Sequence, residues 1–197
     1  MKRFFDFIFA FTGALLLLPF MAVITICIVI TSKGSPFYKQ VRVGRNNINF
    51  SLLKFRTMYL DSDKGGLLTI GNRDPRVTGI GIYLRKYKLD ELPQLVNVLL
   101  GDMSLVGPRP EVRRYVDLYN AEQLKVLRLR PGITDMASIK YRNENDILEK
   151  HSNPEAAYIK IIMPDKLAIN LKYIKQTSSV TGSLRIIILT FLAIIKK

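Results

Sequence analysis

The feature that most limits how this chain can fold is an apolar run near its N-terminus. Between Phe4 and Ile30 only Asp6 is charged, and the run reads FFDFIFAFTGALLLLPFMAVITICIVI. About 20 consecutive apolar residues suffice for a helix to cross a bilayer, so a membrane helix is predicted here. A cleaved signal peptide is not favoured, because the run is too long and no small-residue cleavage site follows it.

Three features predict that this helix enters the membrane and turns back. Lys2 and Arg3 precede the run and Lys33 follows it, so the positive-inside rule assigns no orientation. Asp6 lies near one end, where a carboxylate can stay at the interface. Pro19 lies near the middle, where a missing amide hydrogen bond and a ring clash predict a kink. An ordinary single-span anchor is the alternative.

Charge is concentrated beside the apolar segments. The net charge is +14, from 30 basic and 16 acidic side chains. Eight of those bases and one acid lie in the first 60 residues, and seven bases and one acid lie from Lys160 onward. This placement predicts an anionic membrane surface as a partner. Nucleic acid is not expected, because Trp is absent and no recognition motif occurs.

The C-terminal apolar run, Ile186 to Ile195, is too short to cross a bilayer and is bracketed by basic residues. An interfacial helix is predicted there, and a helix docked on the core is the alternative. The single cysteine, Cys27, excludes an intramolecular disulfide and a multi-cysteine metal site. The only histidine, His151, lies in a polar stretch and is interpreted as a surface residue, so a Ser-His-Asp triad is not expected.

The remainder of the chain predicts an α+β domain. Alternating apolar and polar residues around GRNN predict a β-hairpin that pairs Phe37–Val41 with Ile48–Phe55. Helices are predicted over Gly79–Tyr87 and over Leu89–Leu100, the latter ending at Gly101.

Further along, Asn120 and Gln123 form the pattern of a capping box at the start of a helix. The segment LDSDKGG is predicted to be a loop and RPGITD a rigid turn. Another helix is expected after Pro154, with an interruption near Pro164.

The strongest candidates for chemistry are Asp90 and Glu91 in the segment RKYKLDELPQLVNVLLGDM. Proline is tolerated in the first turn of a helix, so Pro93 places both carboxylates near a helix N-terminus. Backbone amides there favour ionised carboxylates and attract phosphate. Plain helix capping is the favoured interpretation of the same residues when the motif is taken alone.

Basic residues could hold phosphates near this pair. Arg109 lies between Pro108 and Pro110, which fix the backbone and preorganise the guanidinium for bidentate phosphate contact. Further candidates, each of which also fits a solvated charge, are spread along the chain. They are Arg56 and Thr57 in KFRTM, Arg85, Arg130 and Arg142.

The combination of these segments resembles the bacterial sugar transferase family. The apolar run with a central proline, then KFRTM, LDELPQLVNVLLGDMSLVGPRP and RPGIT, is similar to the small monotopic phosphoglycosyl transferases. The resemblance implies a monotopic protein on the cytoplasmic face of the bacterial inner membrane, with a re-entrant helix at residues 1–33 and a catalytic domain at residues 34–197.

The resemblance also implies an activity. Asp90 would attack the β-phosphate of a UDP-sugar and release UMP, and undecaprenyl phosphate would take the phosphosugar from the aspartyl intermediate. Glu91 would assist, Mg²⁺ would bridge Asp90 and phosphate oxygens, and Arg85, Arg109 and less closely Arg142 would hold phosphates. A UDP-sugar hydrolase and a basic membrane adaptor without catalysis are the alternatives.

Three departures from the family pattern concern the helix kink, the turn after RPGIT and the late helix. Leu18 stands before Pro19 where the family usually has Ser, and Asp135-Met136 stands where RPGIT is normally followed by Gly-Trp. Asn170 occupies the position of a late-helix acid. Catalysis is expected to survive these changes, whereas sugar preference and the contacts of the late helix are expected to differ.

Overall fold

The computed structural model describes residues 1–60, 62 and 74–195, and within these ranges the protein mixes helices with two small sheets. The strands are β1 (Phe37–Val43), β2 (Asn49–Phe55), β3 (Ser104–Val106) and β4 (Gly132–Thr134). The helices are α1 (Lys2–Thr31), α2 (Gly79–Lys86), α3 (Gln94–Leu100), α4 (Arg113–Val116), α5 (Met136–Lys140), α6 (Glu144–Glu149), α7 (Pro154–Ala157), α8 (Met163–Lys172), α9 (Ile174–Ser178) and α10 (Val180–Ile195). The predicted loop LDSDKGG lies mostly outside the described residues.

Helix α1 lies along the domain and contacts it near both ends. The inward side chains recur every three or four residues, which is one stripe of a helix. They are Ala10, Ala14, Leu17, Met21, Ile24 and Ile28. The first half of the stripe packs with Leu95 and Val98 of α3, and the second half packs with Phe55 and Leu84. Most other α1 side chains are exposed and apolar.

Polar contacts fix each end of α1 to the same domain. At the start, the buried Asp6 carboxylate accepts hydrogen bonds from the Ser104 hydroxyl (2.9 Å) and the Leu105 amide (3.3 Å). At the other end, the Arg56 guanidinium donates to the backbone carbonyl and the hydroxyl of Ser32, both at 2.8 Å. Among the described residues, α1 is the one helix whose length and composition suit a membrane crossing.

The predicted hairpin is confirmed, with β1 longer than expected by two residues. Strands β1 and β2 are antiparallel, with Phe37 opposite Phe55 and Val43 opposite Asn49. Helix α3 is held against β2 by Asn97, which is buried. Its side chain accepts from the Leu53 amide (2.9 Å) and donates to the Ser51 carbonyl (2.8 Å).

The prediction of a rigid turn at RPGITD is wrong, because Gly132–Thr134 forms strand β4, parallel to β3. The strands approach so closely that a Cβ on Gly132 would lie 2.0 Å from the Gly107 amide nitrogen. Two local segments therefore combine into a sheet through a long-range pairing that turn residues alone do not reveal.

The remaining helices follow the predicted order. Helix α2 ends one residue earlier than expected, and Gly101 ends α3 with a φ of 97°. The side chains of Asn120 and Gln123 each accept the other's amide at 2.9 Å, so the capping box is confirmed, although the helix after it is 3₁₀ (Gln123–Arg128). The interruption before Pro164 is a π-helical segment, Tyr158–Ile162.

Helix α10 docks on the domain with one face and exposes the other. Ile186 is buried, and the Thr190 hydroxyl lies 2.8 Å from that of Thr134. On the outer face Ile188 and Phe191 are exposed. The inner face of α10 therefore fits a helix docked on the core, and its outer apolar face fits a helix at a membrane interface.

Candidate active site at the start of helix α3

Asp90 and Glu91 lie in a 3₁₀ turn, Leu89–Glu91, directly before α3. Lys88 precedes the turn in the left-handed region, with a φ of 58°, and so redirects the chain after α2. Pro93 is the N-cap residue of α3 and has helical dihedral angles. The prediction that proline places both carboxylates at a helix N-terminus is confirmed, and both side chains are buried.

Glu91 is held between two cations. The Arg109 guanidinium donates to both carboxylate oxygens of Glu91, at 2.5 and 3.2 Å, and Lys54 Nζ lies 3.6 Å from one of them. Burial alone would raise the pKa of Glu91, but the charges of Arg109 and Lys54 outweigh it and hold that pKa well below its usual value. Glu91 is therefore ionised and fully engaged.

Asp90 has a different environment although it is the next residue. Burial raises the pKa of Asp90 above its usual range, and the negative charge of Glu91 adds to the effect. Its Oδ1 is buried and has no hydrogen-bond partner among the described residues. The buried Nη1 of Arg85 also lacks a partner in the described part of the chain. Burial lowers the pKa of Arg85 below its usual value, and the nearby charge of Asp90 opposes that effect. An unsatisfied carboxylate oxygen is costly in a folded protein and is common at functional sites.

The Arg109 backbone is positioned by the parallel strands. The Gly107 amide donates to the Thr134 carbonyl at 3.0 Å, and the Arg109 amide donates to the Asp135 carboxylate at 2.9 Å. Arg109 thus connects the strand pair, through its main chain, with the carboxylate turn, through its side chain.

Two hollows flank Arg109. The larger is partly open to solvent, lies between mainly apolar side chains and includes Tyr119, Lys166 and Asn170 in its wall. The smaller is lined by Arg42, Lys54 and Gln94 as well as by Arg109. Three cations around the smaller hollow suit a phosphate ligand.

The other predicted phosphate ligands are more widely spread. Arg56 is buried at the end of α1, where its Nε and Nη1 have no partner among the described residues. The Thr57 carbonyl accepts the Thr78 amide at 2.9 Å beside the start of α2. Arg142 is exposed in the turn after α5.

Arg130 lies at the far end of α3, where its Nε donates to the Gly101 carbonyl at 3.0 Å. Gly101 follows Asp90 by eleven residues, or roughly 16 Å along a helix axis. Lys54 and Arg42 lie beside Glu91 and Arg109 instead, and neither was among the predicted site residues. The only signal for Lys54 was its place in KFRTM, one strand position before Phe55.

The carboxylate turn offers one oxygen that suits a magnesium ion, the buried Oδ1 of Asp90. Mg²⁺ is commonly held by one or two carboxylates together with substrate phosphates. Asp90 offers a buried carboxylate oxygen without a partner, whereas both oxygens of Glu91 are engaged by cations. In the described ranges, no three Asp, Glu, His or Cys side chains are grouped so that they could hold a metal ion by themselves. A metal here would therefore depend on Asp90 and on phosphate oxygens of the substrate.

A buried carboxylate pair beside three basic side chains, on a domain that carries a long apolar helix, makes the start of α3 the candidate active site of this protein. The sequence profile of the bacterial sugar transferase family matches residues 1–197. The chain belongs to the bacterial sugar transferase family, and it is an enzyme rather than a catalytically inert adaptor.

Several curated proteins are similar to this chain. UDP-glucose:undecaprenyl-phosphate glucose-1-phosphate transferase of Caulobacter vibrioides is 34% identical over 96% of this chain and 67% of its own length. The exopolysaccharide production protein ExoY of Rhizobium meliloti is 39% identical over 73% of this chain and 70% of its own. UDP-N-acetylgalactosamine-undecaprenyl-phosphate N-acetylgalactosaminephosphotransferase of Aeromonas hydrophila is 40% identical over 70% of this chain and 33% of its own.

Proposed function

We propose that this protein transfers a phosphosugar from a UDP-sugar to undecaprenyl phosphate and releases UMP. The observation that carries the proposal is the Asp90 carboxylate, buried and with an unpartnered oxygen among the described residues, next to Glu91, which pairs with Arg109 and Lys54. The names of the Caulobacter and Aeromonas relatives support a donor and an acceptor of these two classes. They name two different sugars, so family membership leaves the sugar open.

The reaction proceeds in two displacements. An Asp90 carboxylate oxygen attacks the β-phosphorus, and the bond from that phosphorus to the oxygen shared with the α-phosphate breaks, so UMP leaves with that oxygen. A phosphate oxygen of undecaprenyl phosphate then attacks the same phosphorus and releases Asp90. A covalent intermediate of this kind divides one difficult displacement into two easier ones.

The neighbouring residues have distinct tasks in this scheme. Arg109, Lys54 and Arg42 line one hollow and supply positive charge to the diphosphate, which stabilises charge in the transition state. Arg85 lies close enough to Asp90 for their charges to interact, and its guanidinium nitrogen, unpartnered among the described residues, is available to bind a phosphate oxygen of the donor. Mg²⁺ held by Asp90 and phosphate oxygens would neutralise charge on the leaving group.

We also propose that α1 enters the membrane without crossing it and that the rest of the chain lies on the cytoplasmic face. A straight helix of 30 residues is roughly 45 Å long, which exceeds the roughly 30 Å of bilayer hydrocarbon. Both ends of α1 are fixed to one domain, so a perpendicular span would draw that domain into the hydrocarbon. A shallow helix with residues 34–197 at the surface avoids this, and Ile188 and Phe191 of α10 supply a second apolar contact with lipid.

Release of UMP from a panel of UDP-sugars by detergent-solubilised protein tests the proposal. The panel includes UDP-glucose and UDP-N-acetylgalactosamine, each with and without undecaprenyl phosphate and Mg²⁺. Turnover that needs the acceptor and the metal is the expected result. UMP that accumulates beyond one equivalent without acceptor would instead identify a hydrolase, and no UMP from any donor would reject the proposal for those sugars.

A further inference from the structure

The Asp135 carboxylate joins three separate parts of the fold. It is 1% exposed and accepts hydrogen bonds from the Arg109 amide (2.9 Å), the Ser138 amide (2.5 Å) and the Asn170 side-chain amide (3.0 Å). Ser138 belongs to α5, for which Asp135 is the N-cap, and Asn170 belongs to α8. One acidic side chain thus fixes two helices and the backbone of the residue that clamps Glu91.

The hydrogen bond from the Arg109 amide to Asp135 continues the ladder of hydrogen bonds between the parallel strands β3 and β4. Gly107 donates its amide to the Thr134 carbonyl, and two residues later Arg109 donates its amide to the side chain of the residue after Thr134. Pro108 and Pro110 have no amide hydrogen. Within Pro108–Pro110, the Arg109 amide is therefore the only backbone donor. The loop is held besides by the Pro108 carbonyl, which accepts from the Gly132 amide (3.0 Å), and by the Pro110 carbonyl, which accepts from the Arg42 guanidinium (3.2 Å).

An ionised carboxylate suits this position better than any neutral side chain. It only accepts hydrogen bonds, and three donors converge on it. An asparagine would present one acceptor oxygen and would direct its own amide hydrogens at another donor. The three bonds are therefore satisfied together only by an acid at this position.

We propose that Asp135 is a positioning residue that sets the Arg109 guanidinium on Glu91 and on the donor diphosphate. The proposal rests on the proposed function. Its basis is the main-chain bond at Arg109, because Asp135 acts on the arginine through the backbone rather than through substrate. Loss of that bond lets the loop shift, and a shift of about 1 Å at a reacting site can reduce a rate by about 100-fold.

The variant Asp135→Ser separates positioning from folding. Serine is as good an N-cap as aspartate, so the bond to the Ser138 amide and the start of α5 are kept. Its short hydroxyl loses the acceptors used by Arg109 and Asn170. We expect kcat to fall about 10- to 100-fold with little change in the donor KM. Tm should fall modestly while the protein still folds, because the buried Asn170 amide also loses its acceptor. Asn153→Ser, a change at the exposed N-cap of α7, is the matched control and keeps full activity.

The double variant Asp135→Asn with Asn170→Asp moves the acid from one partner to the other. The bond between positions 135 and 170 is restored and the cap is kept, so we expect Tm to recover relative to Asp135→Asn alone. The amide at position 135 leaves Arg109 without its acceptor, so kcat stays low. Recovery of kcat together with Tm, or normal kcat in Asp135→Ser, would overturn the positioning role.

Hydrogen exchange at the Arg109 amide gives a readout that needs no activity. We expect slow exchange in the wild-type protein and in Asn153→Ser, and faster exchange in Asp135→Ser. Unchanged exchange in Asp135→Ser would also overturn the inference. A wild-type protein that releases no UMP would contradict the proposed transferase, and the exchange measurement would still decide whether Asp135 holds Arg109.

Discussion

Glu91 accepts two hydrogen bonds from Arg109, and the Glu91 side chain is only 10% exposed. Replacement of Glu91 by Gln leaves Arg109 and Lys54 without their counter-charge. Breaking a fully buried ion pair costs about 3–5 kcal/mol, and because Arg109 is 34% exposed we expect about 2 kcal/mol off the free energy of unfolding.

The matched control is Glu122→Gln, at the exposed ion pair between Glu122 and Lys125. Surface pairs of this kind contribute below about 1 kcal/mol, so this variant should unfold close to the wild type. Chemical unfolding in detergent measures both. Equal stability of the two variants would contradict the assignment of Glu91 as the residue that balances this cationic cluster.

Arg85 is expected to act in phosphate binding or in the transition state. Its Nη1 is buried without a partner among the described residues, and a substrate oxygen would satisfy it. We expect Arg85→Gln to reduce kcat/KM for the donor about 100-fold, the order found when one stabilising donor is removed. Lys86→Gln, an exposed neighbour on the same helix, is the control. Equal activity of the two variants would remove Arg85 from the site.

The first turn of α2 packs so closely on the Thr57 backbone that position 81 has no room for a side chain. A Cβ at position 81 would lie 2.1 Å from the Thr57 carbonyl oxygen, whereas a Cβ at Gly79 meets nothing within 4 Å. Gly81→Ala should therefore lower the free energy of unfolding by about 1–3 kcal/mol. Gly79→Ala should be neutral or stabilising by up to about 1 kcal/mol. Thermal unfolding compares them, and the opposite order would mean that α2 is seated differently.

The re-entrant arrangement of α1 is testable with single cysteines. In a Cys27→Ala background, one cysteine is introduced at Ser35 and, in a second variant, one is added ahead of Met1. Both should react with a membrane-impermeant thiol reagent in inverted vesicles and neither in intact cells, because both ends of α1 contact one domain. Reaction of the two cysteines from opposite sides would establish a span.

Local sequence signals predicted the elements that depend on neighbouring residues. Alternation gave the hairpin, and Pro93 placed Asp90 and Glu91 before α3, because proline restricts the chain within one turn. The capping box at Asn120 and Gln123 is equally local. Each of these features involves residues within a few positions of one another.

Contacts between distant segments could not be predicted in this way. Lys54 reaches Glu91 from another element, and β4 pairs with β3 across 28 residues, the interval from Ser104 to Gly132. Arg130 was selected as a phosphate ligand because it is an arginine beside a turn, yet its side chain caps the end of α3. A residue type and its local pattern do not specify which distant partner it meets.

The departures from the family pattern illustrate the same point. Asp135 and Asn170 stood out separately in the sequence, 35 positions apart, as an added acid and a lost acid. In the fold they share one hydrogen bond, and the acid of that pair also holds the Arg109 backbone. Only the packing of α5 on α8 connects the two substitutions.

The most direct test of the central claim is to trap the phosphosugar on Asp90. The detergent-solubilised protein is incubated with an active UDP-sugar and Mg²⁺ but no acceptor, and its intact mass and peptide map are measured. We expect the mass of one phosphosugar on the peptide that contains Asp90, its loss when undecaprenyl phosphate is added, and no adduct in Asp90→Asn. Acceptor-dependent turnover by Asp90→Asn, or a phosphosugar on a different residue, would contradict Asp90 as the nucleophile.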